Sequence, residues 1–152
     1  MLFNDLVNSG SVPMLDSMLS FTQARHKLLT ENIANIDTPG YQTRHLDAKQ
    51  FQRDLATAVA RKREEHTPGL RIESSQQVQQ SSDGQLRFMP MREPAENVLF
   101  HDKTNARVER QMSMLAENAM MHQTATELLA GRYQSMLKAI RGQICGRGWA
   151  DG

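Results

Sequence analysis

Cysteine, aromatic side chains, surplus charge and long apolar runs are all scarce in this chain of 152 residues. Its single cysteine, Cys145, excludes an intrachain disulfide and any zinc cluster that needs several thiolates. Aromatic residues make up 5% of the sequence, which is too few for a thick aromatic core. We therefore expect one modest domain that is held together by packing alone.

The charges nearly cancel, since 18 lysine and arginine residues face 17 aspartate and glutamate residues and leave a net charge of +1. Such a balance supplies no strong field for a polyanion, so nucleic acid is not an expected partner. The longest uncharged run, Leu6 to Leu15, contains Gly10 and Pro13, and we expect no direct membrane insertion. Asp5 stands where a secretory signal carries a basic residue, so no cleaved signal peptide is expected.

A first helical pattern runs from Leu15 to Ile36, where apolar or compatible residues recur at alternating steps of four and three. This spacing predicts a coiled-coil-like helix of about 25 residues that begins near residue 12 or 13. Pro39 and Gly40 follow it and favour a type II turn. The predicted seam consists of Leu15, Leu19, Thr22, His26, Leu29, Ile33 and Ile36. Met14, Met18, Phe21 and Leu28 widen the apolar stripe, which indicates more than one packing neighbour.

A second and longer pattern occupies residues 108–143 and predicts a C-terminal helix of about 50 Å. Gly131 within it costs roughly 1 kcal/mol relative to alanine, which the helix should survive. The glycines from Gly142 onward end the pattern, so residues 144–152 are expected to be a flexible tail. The predicted seam consists of Val108, Met112, Leu115, Ala119, His122, Thr126, Leu129, Tyr133, Met136 and Ile140.

The central region, residues 42–107, contains weaker signals. Phe51, Leu55 and Val59 predict a short helix over residues 47–62 with a small packing face. The segment that follows is poor in apolar residues and includes SSQQVQQSSDG, so we expect it to be partly disordered. The flanking segments GLRIESS and GQLRFMPM could pair as strands around Asp83-Gly84, and deleting residues 74–82 is expected to matter little.

The two seams bury too little apolar surface to offset the entropy of ordering two long helices. We therefore expect their remaining apolar stripe to be completed by other subunits, for which methionine is suited because its side chain adapts in shape. The residues concerned include Met14, Met18, Met114, Met120, Met121 and Leu128. The domain plan is a helix and turn over residues 1–41, a central variable region over 42–107, a helix over 108–143 and a tail over 144–152.

The most specific local string is NIANIDTPGY, residues 32–41. Asn32 and Asn35 lie one helical turn apart, directly before the predicted turn. A plain helix stop explains this arrangement as well, because asparagine and Pro-Gly are common at helix ends. The alternative is that the two carboxamides bind backbone groups of a neighbouring helix and determine its register.

The longer string LLTENIANIDTPGYQTR resembles the N-terminal signature of flagellar basal-body rod and hook proteins, and the short central region is similar to that of the proximal rod, or FlgB, family. The N-x-x-N-x-x-T-P-G-Y motif is matched by Asn32, Asn35, Thr38, Pro39, Gly40 and Tyr41. The segment RQMSMLAENAMMHQTATELLAGRYQSMLKAIRG is similar to the terminal helix of that family, with Met112, Leu115, Ala116, Glu117, Asn118 and Gln123 at recurrent positions. Arg107 and Gln111 depart from it, because acidic residues are expected there.

This resemblance implies a structural subunit that self-assembles through its terminal helices into the periplasmic rod, the axial drive shaft of bacterial motility. The implied partners are other copies of the chain, other rod and basal-body proteins, and the flagellar type III export apparatus, which exports subunits without cleaving a signal peptide. Asn32 and Asn35 would determine register, and residues 38–41 would direct the chain out of the helical layer. The competing hypothesis is a soluble helical-hairpin chaperone or adaptor that binds client helices through its methionines.

Residues that could carry chemistry are few. His26 and His122 occupy seam positions and allow a facing polar layer, but two histidines without further ligands rarely form a zinc site. No nucleophile stands beside a recognisable base, and no glycine-rich phosphate loop is present, so we expect no enzyme, no cofactor and no small-molecule substrate. The expected fold is all-α, with long N- and C-terminal helices packed like a coiled coil, a short central helix and a small, partly mobile β-ribbon.

Overall fold

A computed structural model of the chain describes residues 11–67, 69–92 and 103–142. Over these residues it contains three helices and four short strands. In chain order they are α1 (Val12–Ala34), β1 (Arg44–His45), α2 (Ala48–Glu65), β2 (Val78–Gln80), β3 (Leu86–Phe88), β4 (Met91–Arg92) and α3 (Lys103–Ile140). The predicted class, long terminal helices with a central helix and a small β-ribbon, is confirmed. The predicted tail with Cys145 lies outside the described residues.

Helix α1 begins at Val12, as predicted, with Pro13 in its first turn, where a missing N–H is tolerated. It ends at Ala34, earlier than the sequence pattern indicates, so Ile36 lies outside the helix. The reason is Asn35, whose backbone N–H donates to the Glu31 carbonyl at 3.1 Å and whose side-chain amide donates to the same oxygen at 2.8 Å. The Glu31 carbonyl in the last turn thereby has its hydrogen-bond donors, and the chain can leave the helix.

The turn predicted at Pro39-Gly40 is confirmed. Gly40 has a φ of +78°, and the Tyr41 N–H donates to the Thr38 carbonyl at 3.1 Å, as in a type II turn. After the turn, β1 pairs with β4 in antiparallel fashion, with Arg44 opposite Arg92. Helix α2 then begins at the predicted place, because the Asp47 carboxylate accepts hydrogen bonds from the backbone N–H groups of Lys49 and Gln50.

The main apolar core lies between α1, α2 and the central strands. At its centre Phe21 and Phe51 stack with ring centroids 4.1 Å apart, and Phe88 packs edge-on against both rings. We call this cluster the phenylalanine core; its other buried members are Leu28, Leu46, Ala48, Leu55, Ala58, Ile72 and Val78. The composition suggested little aromatic packing, yet three of the five phenylalanines meet here, so the face of α2 has more packing partners than its short stripe indicated.

The Ser/Gln segment contributes one strand of the β-ribbon, and the partial disorder of the central region stays a prediction. Strand β2 lies inside that segment and pairs with β3, placing Val78 opposite Phe88, while the predicted turn at Asp83-Gly84 connects the two strands. The predicted first strand, GLRIESS, is wrong: it carries no strand, although its Ile72 is buried. Val78 has 0% exposed surface, so the strand that forms places its apolar residue in the core.

Two glutamine side chains of the Ser/Gln segment form hydrogen bonds to backbone groups outside the strand pairs. Gln77 accepts from the Asp47 N–H at 2.8 Å and donates to the Asp47 carbonyl at 3.0 Å. Gln80 accepts from the Ile72 N–H at 2.9 Å and donates to the Leu70 carbonyl at 3.2 Å. Deleting residues 74–82 would remove these bonds together with Val78, so the expectation that the deletion matters little is reversed.

Helix α3 begins at Lys103, ahead of the predicted residue 108, and ends at Ile140. It packs along α1 in the opposite direction: Asn32 meets Gln111, Arg25 meets Glu117, and Thr22 meets Asn118 and His122. The terminal helices are thus an antiparallel pair. Among the described residues, no helix is both long and apolar enough to cross a membrane.

Candidate assembly interface

Helix α1 buries two different faces. Phe21 and Leu28 point into the phenylalanine core, and Met14 and Met18 pack against its edge, so the wide stripe does have more than one neighbour. The face toward α3 is buried as well, but its chemistry is mixed. We call this second buried region the polar seam; it contains Leu15, Thr22, Arg25, Leu29 and Asn32 of α1 with Gln111, Asn118 and Ala125 of α3.

Asn32 is the most fully bonded side chain of the motif and has 0% exposed surface. Its amide donates to the Arg44 carbonyl at 2.7 Å and to Gln111 Oε1 at 3.3 Å. Its carbonyl oxygen accepts from the Tyr41 hydroxyl at 2.9 Å and from the Arg44 N–H at 3.2 Å. All donors and acceptors of the carboxamide are therefore used. Asn32 joins α1, the segment after the turn, and α3 within one chain.

The other motif residues have different roles in the single chain. Asn35 bonds only its own helix end, which matches the plain helix-stop explanation for this residue. Thr38, Pro39 and Gly40 form the exposed turn. Tyr41 is half-buried because its hydroxyl reaches back to Asn32. The motif thus folds the chain back against the end of α1 and leaves the turn itself accessible.

Thr22 and its partners form the central layer of the polar seam. The Asn118 amide donates to the Thr22 carbonyl at 2.8 Å. The Thr22 hydroxyl donates to the Leu19 carbonyl at 3.0 Å, and its oxygen lies 2.9 Å from His122 Nδ1. His26 is exposed and lies on the adjacent turn. The facing histidine layer that the sequence allowed is therefore not formed, because threonine and asparagine occupy it.

Arg25 is the buried charge of the polar seam, with 5% of its surface exposed. Desolvation lowers the pKa of its guanidinium, and the nearby carboxylates of Glu117 and Asp47 oppose that shift. The Arg25–Glu117 pair has an N–O distance of 3.8 Å, and Glu117 is largely exposed, so the pair is a weak one. Arginine remains charged at any physiological pH, which means that the seam contains a permanently positive group.

Most positions of the predicted α1 seam are buried or half-buried in the structure. Leu15, Thr22 and Leu29 are buried, Leu19 and Ile33 are half-buried, and Ile36 is half-buried beyond the helix end. At two steps of the pattern the buried residue is not the predicted one: Arg25 is buried where His26 was predicted, and Asn32 where Ile33 was predicted. Both buried residues are polar, so the hydrophobic pattern selected their neighbours.

The same displacement occurs in α3. Met112, Ala119 and Thr126 of the predicted seam are exposed, and the adjacent Gln111, Asn118 and Ala125 are buried in their place. Val108, Leu115 and Leu129 are half-buried, whereas His122 is exposed apart from its contact with Thr22. Gln111, which departs from the family pattern, is the residue that Asn32 contacts. At the first two positions the buried Gln111 and Asn118 are polar side chains that bond across the helices, whereas at the third the small Ala125 is buried in place of Thr126.

The last part of α3 projects beyond α1. The contacts between the two helices place residue 32 level with 111, 25 level with 117, and 22 level with 118 and 122. Because the helices are antiparallel and have the same rise per residue, Val12 lies level with about residue 130. We call residues 131–140 the α3 extension. Within it Tyr133, Leu137 and Ile140 are 46%, 51% and 57% exposed, while Met136 is half-buried. Three further large apolar residues of α3, Met112, Met120 and Leu128, are also exposed.

No cluster of three or more histidine, cysteine or acidic residues that could hold a metal ion occurs in the part of the chain that the structure describes. The fold presents an antiparallel helix pair with an exposed apolar extension, an arrangement that is typical of helical structural proteins.

Comparison with known proteins agrees with this class. The chain is 28% identical to the flagellar basal body rod protein FlgB of Salmonella typhimurium, over 84% of this chain and 96% of the relative. It is 24% identical to FlgB of Bacillus subtilis, over 88% and 95%, and 28% identical to FlgB of Escherichia coli, over 84% and 95%. No protein-family model matches the chain. The predicted resemblance to the FlgB family of flagellar basal-body rod proteins is confirmed.

Proposed function

We propose that this chain is a structural subunit of the proximal rod of the bacterial flagellar basal body. Two observations together carry the proposal. FlgB relatives share nearly their full length with this chain, and the extension of its long C-terminal helix exposes Tyr133, Leu137 and Ile140. Heterologous contacts that do not close into a ring generate helical filaments, and an exposed apolar helix end supplies such a contact. No reaction is proposed for the chain.

The partners follow from the same reasoning. We propose that other copies of the chain and other rod proteins cover the exposed residues of α3, and that the flagellar type III apparatus exports the chain without cleaving a signal peptide. The motif residues Asn32 and Tyr41 would hold the exposed turn at a defined angle to α1, and residues 38–40 would direct the chain out of the helical layer. The seam residues Leu15, Leu29 and Leu115 would keep the helix pair together during assembly.

A test of the function is motility in a strain that lacks the chromosomal copy. Tyr133→Asp and Ile140→Asp each place a charge on the α3 extension, so we expect loss of swimming and of rod assembly with normal expression. Gln134→Asp is the matched control, because Gln134 is exposed on another side of the same turn; it should swim. Swimming by both extension variants would contradict the proposal.

The chaperone hypothesis predicts a different location for the protein. A chaperone would be absent from purified basal bodies, whereas a rod subunit would be present in fixed stoichiometry to other rod proteins. Quantitative mass spectrometry of purified basal bodies therefore separates the two functions. Nothing in the relatives favours the chaperone.

A further inference from the structure

The apolar side chains of α3 distinguish its alignments on α1 only in part. Val108, Leu115, Leu129 and Met136 are spaced at multiples of seven residues on α3. A slip of α3 by one heptad in either direction therefore places another apolar side chain at the level of two of these four residues. Such a slip would move α3 by about 10 Å along α1.

The buried polar side chains do distinguish the alignments. In the observed one, Arg25 lies beside Glu117, and Asn118 donates to the Thr22 carbonyl. A slip of seven residues in one direction replaces Glu117 with Arg110, which sets two positive charges side by side with one of them buried. A slip in the other direction replaces His122 with Leu129 and Asn118 with Ala125, which leaves the Thr22 polar groups without these partners.

We propose that Arg25 and Thr22 of α1 select the register of the helix pair through their contacts with Glu117 and Asn118 of α3. These contacts disfavour alignments that are shifted by one heptad. A polar residue at an otherwise apolar position can specify register at a cost in stability. Arg25 fits this description, because it is 5% exposed and its one ion pair among the described residues is long. The role belongs to the single chain, and Asn32 of the motif adds a further polar contact across the pair, to Gln111 at 3.3 Å.

The register has a consequence for the proposed function, on which this part of the inference rests. It determines how far Tyr133 and Ile140 project beyond the start of α1. A one-heptad slip would lengthen or shorten the α3 extension by about 10 Å, which is most of its length of about 15 Å. A lattice built through that extension requires a single projection length from every subunit.

The test reverses the charges on α3 that lie beside Arg25 in the observed and in the slipped alignment. In the double variant Arg110→Glu, Glu117→Arg, the observed alignment places Arg25 beside an arginine, and the slipped alignment places it beside a glutamate. Both changed residues are exposed, so the core is not disturbed. Spin labels at Lys27 and Gln134, two exposed positions, report the alignment in the full chain with Cys145 replaced by serine. Their separation along the helix axis is about 28 Å in the observed register and about 39 Å in the slipped one.

We expect pulsed electron–electron double resonance to show one distance for the unsubstituted chain and a main population about 10 Å longer for the charge reversal. The matched control is Glu127→Arg, Arg132→Glu, which exchanges the same residue types on exposed positions of α3 away from Arg25 and should leave the distance unchanged. A distance that stays at its original value in the charge reversal overturns the proposal, as does a broad distribution with no longer component.

A second variant tests the apolar side of the argument. Arg25→Leu, Asn118→Leu removes the polar selection and retains burial, so we expect preserved helix content by circular dichroism and more than one distance population. A single unchanged distance in this variant also overturns the proposal. These measurements use the isolated chain, so their failure would leave the rod function untouched, whereas absence from basal bodies would contradict the rod function and leave the register result standing.

Discussion

The two buried faces of α1 differ in composition. The face in the phenylalanine core packs Phe21 against Phe51 and contains no buried polar side chain of that helix, whereas the face in the polar seam buries Thr22, Arg25 and Asn32. Apolar burial stabilises without direction, while hydrogen bonds between buried groups require a defined geometry and contribute little net stability. The comparison indicates that the core supplies most of the stability and the seam determines orientation.

The largest effect is expected from the core. Phe51→Ala removes a ring with 0% exposed surface that stacks on Phe21, so the free energy of unfolding should fall by about 3–5 kcal/mol. Urea denaturation followed by circular dichroism measures this change. The control Leu137→Ala truncates a large side chain that is half exposed, and it should alter the free energy by less than about 1 kcal/mol. Equal losses of unfolding free energy in the two variants would contradict the conclusion that the core supplies most of the stability.

An intermediate effect is expected where the seam meets the turn. Asn32→Ala leaves the Arg44 backbone groups and the Gln111 amide oxygen without their partner, so the free energy of unfolding should fall by about 2–3 kcal/mol. Asn35→Ala removes one side-chain bond to an already bonded helix carbonyl and should cost less than about 1 kcal/mol. The same denaturation experiment compares the two asparagines, and a larger loss for Asn35→Ala would contradict the assigned roles.

The smallest effect tests the Ser/Gln segment. Gln80→Ala removes hydrogen bonds to the backbone at Ile72, Leu70 and Gly84, and we expect a loss of about 1 kcal/mol. Its neighbour Gln79 is exposed on the same strand, and Gln79→Ala should be close to neutral. Amide hydrogen exchange at Ile72 provides a local measurement, since its N–H loses its acceptor only in the Gln80 variant. Unchanged protection at Ile72 would show that the side chain does not order this segment.

Several elements could be predicted because their signals are local. The start of α1 at Val12, the turn at Pro39-Gly40 and the cap of α2 at Asp47 each depend on residues within a few positions of one another. The motif at residues 32–41 also indicated a resemblance to the FlgB family, and FlgB relatives at 24–28% identity agree with it. Local chemistry of this kind is independent of what packs against it.

Other elements could not be predicted, because they depend on partners distant in sequence. Gln77 looks like a solvated residue in SSQQVQQSS, yet it is 1% exposed and bonded to Asp47, thirty positions earlier. Arg25 looks like a surface residue between His26 and Ala24, yet α3 covers it. Hydrophobic periodicity assigns polar residues to the outside, so it places a seam one residue away wherever polar side chains find partners across it.

The amino-acid sequence by itself determined the two long helices, the turn that ends the first of them, and a resemblance to flagellar rod proteins. Only the tertiary structure decided which side of each helix is buried, that the two helices are antiparallel, and that the Ser/Gln segment contains a strand. The physical reason is that helix propensity and turn chemistry act over a few residues, whereas the burial of a polar group is favourable only when a distant residue completes its hydrogen bonds.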